Sequence, residues 1–297
     1  MFASAVLFGL AAMLAKLAAR GGMSGGQATL VRFTLGLSAA VALFRLRPGT
    51  FRPARWDLLA VRGLVGGGAA LLYYLAIARI PAGEATLLNS LFPIFAVLIS
   101  LFALGERPTL HLALALLVAS AGVYLVLWGG DEAARQGGLS LHLGWGEGIA
   151  ILSALAGGVA VTAIRALRST VNALTIFASF AAGGILVSLP FGFSAWPSDP
   201  VAWGAALAAG VAAFFAQISR TEAYGALSIP EAAVLQQLTP IATYLWALLL
   251  AERVTWITGL GALLGVAGVA YGSLLGARPR PTSPEASRVP VLPAEEP

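Results

Sequence analysis

The chain contains no cysteine and few charged residues. The absence of cysteine excludes disulfides, thiolate metal sites and thiol nucleophiles. Charged residues make up 10% of the sequence, whereas a soluble domain has about 25%. Only two histidines occur, His111 and His142, and they lie in different parts of the chain. Neither an HExxH nor a GxxxxGK[ST] pattern is present. The sequence therefore predicts no metal, no cofactor and no enzymatic activity.

Hydrophobic residues are abundant, at 59% of the chain, and the mean hydropathy is +0.86. An apolar helix of about 20 residues crosses the hydrocarbon core of a bilayer, and the alternation typical of a membrane barrel is missing. We therefore predict an all-α membrane protein with ten transmembrane helices. The ten apolar segments are 2–19, 27–46, 56–79, 82–103, 108–128, 145–167, 171–191, 200–223, 230–251 and 255–276.

The stretch 76–109 recurs about half a chain later, at 223–255. The matching pairs are Glu84 with Glu231 and Pro93 with Pro240, at an offset of 147 (231 − 84, 240 − 93), and Glu106 with Glu252, at 146. Such internal similarity indicates one structural unit used twice. The sequence thus predicts two repeats of five helices each.

An odd number of helices per repeat means that the second repeat enters the membrane in the opposite orientation. We predict a first repeat at 1–128, a linker at 129–144, a second repeat at 145–276 and a disordered cytoplasmic tail at 277–297. With both termini in the cytoplasm, most loop arginines fall on the inner side, as the positive-inside rule requires. This placement in a bacterial inner membrane also explains the net charge of +5 without a nucleic-acid partner.

The doubled pattern resembles the EamA type of the drug/metabolite transporter superfamily. The similarity rests on Pro93 with 104–107, Pro240 with 250–253, the Arg32-Phe33 pair, and Gly9 ahead of Lys16, and it covers residues 2–276. The resemblance implies secondary transport of a small metabolite, often outward, without a cofactor. It also implies a substrate cavity between the halves, lined by segments 1, 3, 4, 6, 8 and 9. A passive channel and a structural or assembly protein are the alternatives.

Each proline-containing segment is expected to bend in mid-membrane, because proline removes a backbone donor. We predict that Pro93 and Pro240 act as gates. Polar side chains one turn earlier, Asn89, Gln236 and Gln237, would then face the substrate. Hydrogen bonds between helices are the alternative role for Asn89 and Gln237.

Charged residues inside apolar segments are costly and need an explanation. Lys16 and Arg165 either present cationic groups to the cavity or extend to nearby headgroups. Arg32 either clamps two helices together or lines the cavity. We expect Arg220 and Glu222 at the cytoplasmic edge.

The carboxylates at 84 and 231 allow two interpretations. Glu84 and Glu231 could couple transport to protons, or they could cap helices, since Ser228 precedes Glu231 in a capping-box pattern. Glu106 and Glu252 are expected to have structural roles in turns.

Aromatic and amide side chains complete the predicted substrate site, with Tyr73, Tyr74, Gln217 and Trp246. An indole N–H in the membrane needs a partner, which singles out Trp246. The last segment carries glycines at GxxxG spacing, a pattern typical of close helix packing, and we predict a homodimer contact there. The other expected partners are a small-molecule substrate and the lipid bilayer.

Overall fold

A computed structural model describes residues 1–77, 88–130, 144–247 and 255–275, and all the regular structure in these ranges is helical. The helices are α1 Phe2–Arg20, α2 Gly25–Leu46, α3 Trp56–Ala60, α4 Gly66–Ile77, α5 Phe92–Ala103, α6 Leu110–Gly130, α7 Trp145–Leu167, α8 Ala173–Ser188, α9 Pro200–Ala226, α10 Ile229–Gln236, α11 Leu238–Ala247 and α12 Trp256–Leu275. A π-helical turn, Val61–Val65, joins α3 to α4, and a 3₁₀ turn, Leu189–Phe193, follows α8.

Six helices in the described ranges are long and apolar enough to cross a membrane. They are Phe2–Arg20, Gly25–Leu46, Trp145–Leu167, Ala173–Phe193, Pro200–Ala226 and Trp256–Leu275. Two shorter apolar helices, Phe92–Ala103 and Leu110–Leu125, accompany them. Large apolar side chains on the outside, such as Phe102, Trp145 and Leu274, are more than three-quarters exposed, which suits a surface that faces lipid tails.

The first helix of each half packs on helices of the other half. α1 packs on α9 and α11, and α7, the first helix of the second half, packs on α4 and α5. α2 packs on α8, and α6 packs on α12. Each of these last pairs joins a helix of the first half of the chain to a helix of the second half. The core therefore lies between the halves.

Glycines allow the backbones of paired helices to approach closely. The Cα position of Gly122 on α6 faces the backbone of Gly265 and the carbonyl of Gly261 on α12, and Gly268 faces the backbone of Ala119. The glycine stripe of the last segment therefore packs as predicted, but against α6 of the same chain. The stripe is therefore not available to a second copy, and the predicted homodimer through the last helix is not shown.

Both proline-containing segments are divided, where the sequence led us to expect a bend within a continuous helix. α5 begins at Phe92 with Pro93 in its first turn, after a turn at Ser90 and Leu91. α10 ends at Gln236, and α11 begins two residues later at Leu238, with Pro240 in its first turn. Proline cannot bond to the carbonyl four residues earlier and its ring collides with it. A helix is therefore more stable when it restarts at the proline.

Candidate functional site

A cavity of about 160 Å³ lies among helices of both halves. α4, α5 and α7 form most of its wall, and Phe180 of α8 and Arg220 of α9 complete it. The lining residues are Arg62, Gly66, Ala69, Ala70, Tyr73, Asn89, Phe92, Ser153, Gly157, Ala160, Val161, Phe180 and Arg220. The resemblance implied walls from segments 1 and 9 as well. The described lining residues include none from these two segments, and Phe180 of segment 7 takes a place instead.

A buried serine ties two walls of the cavity together. The Oγ of Ser153 on α7 lies 2.8 Å from the carbonyl oxygen of Ala69 and 2.9 Å from Oδ1 of Asn89. Asn89 therefore lines the cavity and also bonds across helices, and its contact with a substrate stays a prediction.

Arg62 is the most deeply buried charged residue of the site, with 3% of its surface exposed. It lies in the π-helical turn, a feature that often occurs at functional sites. Its guanidinium carbon lies 3.8 Å from the centre of the Phe180 ring, a cation–π distance. Residue 66 is a glycine, which leaves space for the guanidinium of Arg62. A Cβ at position 66 would collide with Nη1 of Arg62.

Arg220 faces the same cavity from α9. Its Nη2 donates a hydrogen bond of 2.6 Å to Oε1 of Gln217, and its guanidinium carbon lies 4.7 Å from the ring centre of Phe8. Arg32 on α2 is close enough for its charge to act on both Arg62 and Arg220. The cavity therefore has a cationic wall.

Within the described ranges, neither Arg62 nor Arg220 forms an ion pair. The ion pairs found there are Arg55–Asp57, Arg165–Glu106 and Arg168–Glu222. The Nε atoms of Arg62 and Arg220 are buried and have no hydrogen-bond partner among the described residues. On insertion scales, an arginine at the centre of a membrane helix costs about 2.5 to 3.5 kcal/mol of free energy. Among the described residues, Arg62 and Arg220 are thus stabilised by aromatic rings and one amide.

One end of the molecule is joined by a bridge at Glu106, in the loop after α5. Its Oε1 lies 2.9 Å from Nε of Arg165, and its Oε2 accepts a hydrogen bond of 2.6 Å from the backbone N–H of Ile229. Arg165 also donates from Nη1 to the carbonyl of Tyr224 at 3.1 Å. We call this arrangement the Glu106 bridge. It connects the first half to the ends of α7 and α9 and to the start of α10.

The sequence matches the EamA-like transporter family over residues 1–128 and 144–273. The chain belongs to the EamA-like transporter family. It is therefore an integral membrane protein of a transporter family, not of an enzyme family. The sequence-based recognition is confirmed.

Two similar proteins are pseudopaline exporters named CntI, from Pseudomonas aeruginosa strains UCBPP-PA14 and PAO1. Each is 30% identical over 198 residues, which cover 66% of this chain and 64% of the exporter. The match thus spans less than two-thirds of the exporters' length. A solved crystal structure with 24% identity superposes with a TM-score of 0.76, over 93% of this chain and 98% of that one. At this identity the likeness shows the fold alone.

Of the side chains that we predicted to bind substrate, Tyr73 and Asn89 line the cavity of this EamA-like protein. Gln217 lies beside it through its bond to Arg220. The side chain of Tyr74 lies outside the described part of the structure, as does that of Pro240. Glu84 and Glu252 also fall outside the described residues.

The structure does not bring the other predicted residues to the cavity wall. The Nε2 of Gln236 donates to the hydroxyl of the buried Tyr224, and the Nε2 of Gln237 donates to Oγ of Ser120 at 2.8 Å. These amides bond across helices because a buried amide needs a partner. The indole of Trp246 donates to the carbonyl of Val6 at 3.0 Å, which satisfies its N–H without a ligand.

The predicted cationic pair has a different arrangement. Lys16 is exposed and does not line the cavity. Arg165, which we considered as a group facing the cavity, holds Glu106 instead. Glu106 does more than close a turn, because it connects the two halves.

Glu231 forms the capping box that the sequence pattern indicated. Its Oε2 accepts from the backbone N–H of Ser228 at 2.9 Å, and its own N–H donates to Oγ of Ser228 at 3.4 Å. The capping interpretation is confirmed for Glu231, whose carboxylate is occupied at the start of α10.

Sequence reasoning missed Arg62 and placed Arg220 at the cytoplasmic edge with Glu222. The structure confirms an exposed Glu222, paired with Arg168, but it turns Arg220 inward to the cavity. A signal was available for Arg62, which lies six residues after Trp56, the start of its predicted segment, and so more than a turn inside it. The predicted segment that contains Arg220 ended at residue 223, whereas the helix continues to Ala226, so no such signal marked Arg220.

Proposed function

We propose that this EamA-like protein is a secondary exporter of a small metabolite, which it binds in the cavity between its two halves and releases by alternating access. The observation that carries the proposal is the cavity itself, because residues of both halves line it and include polar groups. The exporters related to this chain support an outward direction. A relative movement of the halves would open the cavity to one side or the other.

Ten transmembrane helices in two inverted five-helix repeats, 1–128 and 145–276, form the framework of the proposal. The helix pairs that recur with the halves exchanged support it. The two matching breaks before Pro93 and Pro240 support it as well. A single non-repeated bundle would give no reason for either correspondence.

The proposed location is a bacterial inner membrane with both termini in the cytoplasm. This orientation puts the loop after α5, the ends of α7 and α9 and the start of α10 on the cytoplasmic side. Contacts of the Glu106 bridge join these same four places, which supports a common face. Contacts between Thr50 and Asn172 support the same face for the loops after α2 and α7.

The Glu106 bridge also gives alternating access a physical basis. Arg165 lies one turn beyond the cavity-lining Val161 on α7, so the bridge closes the cytoplasmic side of the cavity. Opening that side requires the ion pair to separate. The breaks before Pro93 and Pro240 provide hinges, because residues between helices absorb changes in backbone angles most easily.

Tyr73, Asn89 and Gln217 are the substrate contacts that we retain. The bonds of Gln236, Gln237 and Trp246 to other helices support structural roles for these side chains. Proton coupling through Glu84 stays a prediction, and the capping bonds of Glu231 favour a structural role for that carboxylate.

The proposal can be tested by measuring efflux from lipid vesicles that carry the purified protein in their membrane and are loaded with a metabolite extract of the cells from which the protein comes. Mass spectrometry follows the release of each metabolite, and counterflow is measured for those released. Saturable efflux with counterflow is expected. Release proportional to concentration would instead indicate a channel, and no release would indicate a structural or assembly protein. Leu263→Ala, on the exposed face of α12, is the control variant and should leave flux unchanged.

A further inference from the structure

We infer that the transported metabolite is a small organic anion whose carboxylate binds between Arg62 and Arg220. This inference rests on the proposed function, and it names the substrate class for the same cavity. Its basis is that Arg62 and Arg220 line one cavity and that neither forms an ion pair within the described ranges.

The positive charges at the cavity favour an anionic ligand. Arg62 and Arg220 line the same cavity and repel each other. Burial of a charge without a counter-ion destabilises a protein. A bound anion would remove both the repulsion and the lack of a counter-ion, so the occupied cavity is electrostatically more favourable than the empty one.

The orientation of the Arg62 guanidinium suits a carboxylate. Guanidinium groups present a planar fork of N–H donors that fits a carboxylate. The flat face of Arg62 is covered by Phe180, and Gly66 leaves space for its Nη1. Stacking thus fixes the plane of the guanidinium, while its terminal nitrogens, which lie at the cavity wall, are the donors left for a ligand.

Neither Arg62 nor Arg220 has an arginine at the matching position of the other half. Residues of the framework recur at an offset of 147, as Pro93 and Pro240 do. At this offset Arg62 corresponds to Ala209 (62 + 147) and Arg220 to Tyr73 (220 − 147). The framework therefore has no general requirement for arginine at these places. Arg62 and Arg220 are thus not related by the repeat, and yet both line the same cavity, as a ligand shared by the two would require.

Size and surroundings favour a small acid. The cavity of about 160 Å³ is smaller than sites for drug-sized ligands, which measure about 300 to 1,000 Å³. Hydroxyl and amide groups of Tyr73, Asn89 and Ser153 share the cavity and can bond to an amino or hydroxyl group of the same molecule. A hydroxy acid, an amino acid or a short dicarboxylic acid has this combination of groups.

The experiment compares acids with their uncharged amides on the purified full-length protein. The probes are lactate with lactamide, succinate with succinamide, and phenylacetate with phenylacetamide. Inorganic phosphate and ethanolamine represent the other charge classes. The readouts are the increase in unfolding temperature and the inhibition of efflux. We expect at least one acid to bind about ten times more tightly than its amide, the selectivity typical of a charge-assisted bond.

Arg62→Gln and Arg220→Gln should each remove this preference for the acid, and Arg62→Lys should restore only part of it. Arg55→Gln, which changes an exposed arginine outside the cavity, is the matched control and should leave the preference intact. If a glutamine variant does not fold, the comparison of acid and amide on the unaltered protein decides alone.

Three results would overturn the inference. They are equal binding of acid and amide, tighter binding of phosphate or ethanolamine than of any acid, and efflux confined to metabolites without a carboxylate. These results would leave export itself intact. Absence of flux for every metabolite would defeat the proposed function, so the two failures are distinguishable.

Discussion

Arg165 and Glu106 form an ion pair across the two halves of the molecule, with Nε 2.9 Å from Oε1. Both side chains are less than a third exposed, so water screens the pair only in part. The second carboxylate oxygen of Glu106 binds the backbone of Ile229 at the start of α10. One carboxylate therefore fixes the relative position of three helical elements beside the cavity.

Glu106→Gln should favour the state in which the cytoplasmic side is open. Loss of the ion pair should weaken the closed state by about 1 kcal/mol, a shift of about fivefold in the population. The protein has no cysteine, so Ala160→Cys in the cavity wall introduces the only thiol. A membrane-impermeant maleimide added from the cytoplasmic side should label this thiol faster in the Glu106→Gln background. An unchanged labelling rate would contradict a gating role for the Glu106 bridge.

Gly66→Ala should impair transport through the position of Arg62. The added Cβ would collide with Nη1 of Arg62 and push the guanidinium out of its place over Phe180. We expect about a tenfold loss of transport at low substrate concentration, which corresponds to about 1.4 kcal/mol. Gly68→Ala, on the same helix and with no atom near the added Cβ, is the control for the general effect of alanine. Equal activity of the two variants would contradict the importance of the guanidinium position.

Gly183→Ala should destabilise the protein, because the new methyl group would meet the backbone of Gly63 on the neighbouring helical segment. Overpacking of this kind costs about 1 to 3 kcal/mol. Thermal unfolding in detergent measures the effect. Gly204→Ala, where the added methyl group meets no atom, should unfold at or above the temperature of the unaltered protein. A Gly183→Ala protein as stable as Gly204→Ala would show that α8 and the π-helical turn at Gly63 do not pack this closely.

Pro93→Ala should slow turnover more than it weakens binding. With a backbone donor restored, the helix can extend through the break at Ser90 and Leu91, and the hinge becomes stiffer. The maximal rate of efflux should fall about tenfold, while the concentration for half-maximal efflux changes little. A change in affinity at an unchanged maximal rate would count against the hinge.

Glu231→Gln should retain both stability and any response to a pH gradient, because glutamine can also complete a capping box. Ser228→Ala removes the cap and should cost about 1 kcal/mol of stability. Flux in vesicles with and without an imposed pH gradient shows whether Glu231 couples transport to protons. Loss of the gradient response in Glu231→Gln alone would reinstate this carboxylate as a proton-coupling group.

Local signals in the sequence were sufficient for several elements. The pattern Ser228 to Glu231 predicted a cap that the structure contains, since all the atoms of a capping box lie within four residues. Glycine spacing in the last segment predicted close packing, because helical periodicity places Gly261, Gly265 and Gly268 on one face. The paired prolines predicted an interruption in each half, although not that the helices would restart there.

The cavity residues could not be assigned in this way. An arginine six residues from a helix end can extend toward water or turn inward, and the rotation of the helix against its neighbours decides between the two. For Arg62 the deciding features are the π turn and the contact with Phe180. For Gln237 and Trp246 the deciding partners are Ser120 and Val6, which are 117 and 240 residues away in sequence. Periodicity within one helix contains no information on such partners.

A carboxylate site between Arg62 and Arg220 can be tested by counterflow of a labelled carboxylate in vesicles of purified protein. We expect saturable exchange that the uncharged amide does not inhibit and that Arg62→Gln abolishes, while Arg55→Gln leaves it intact. Exchange that proceeds equally well with the amide, or that Arg62→Gln leaves unchanged, would contradict a carboxylate site between Arg62 and Arg220.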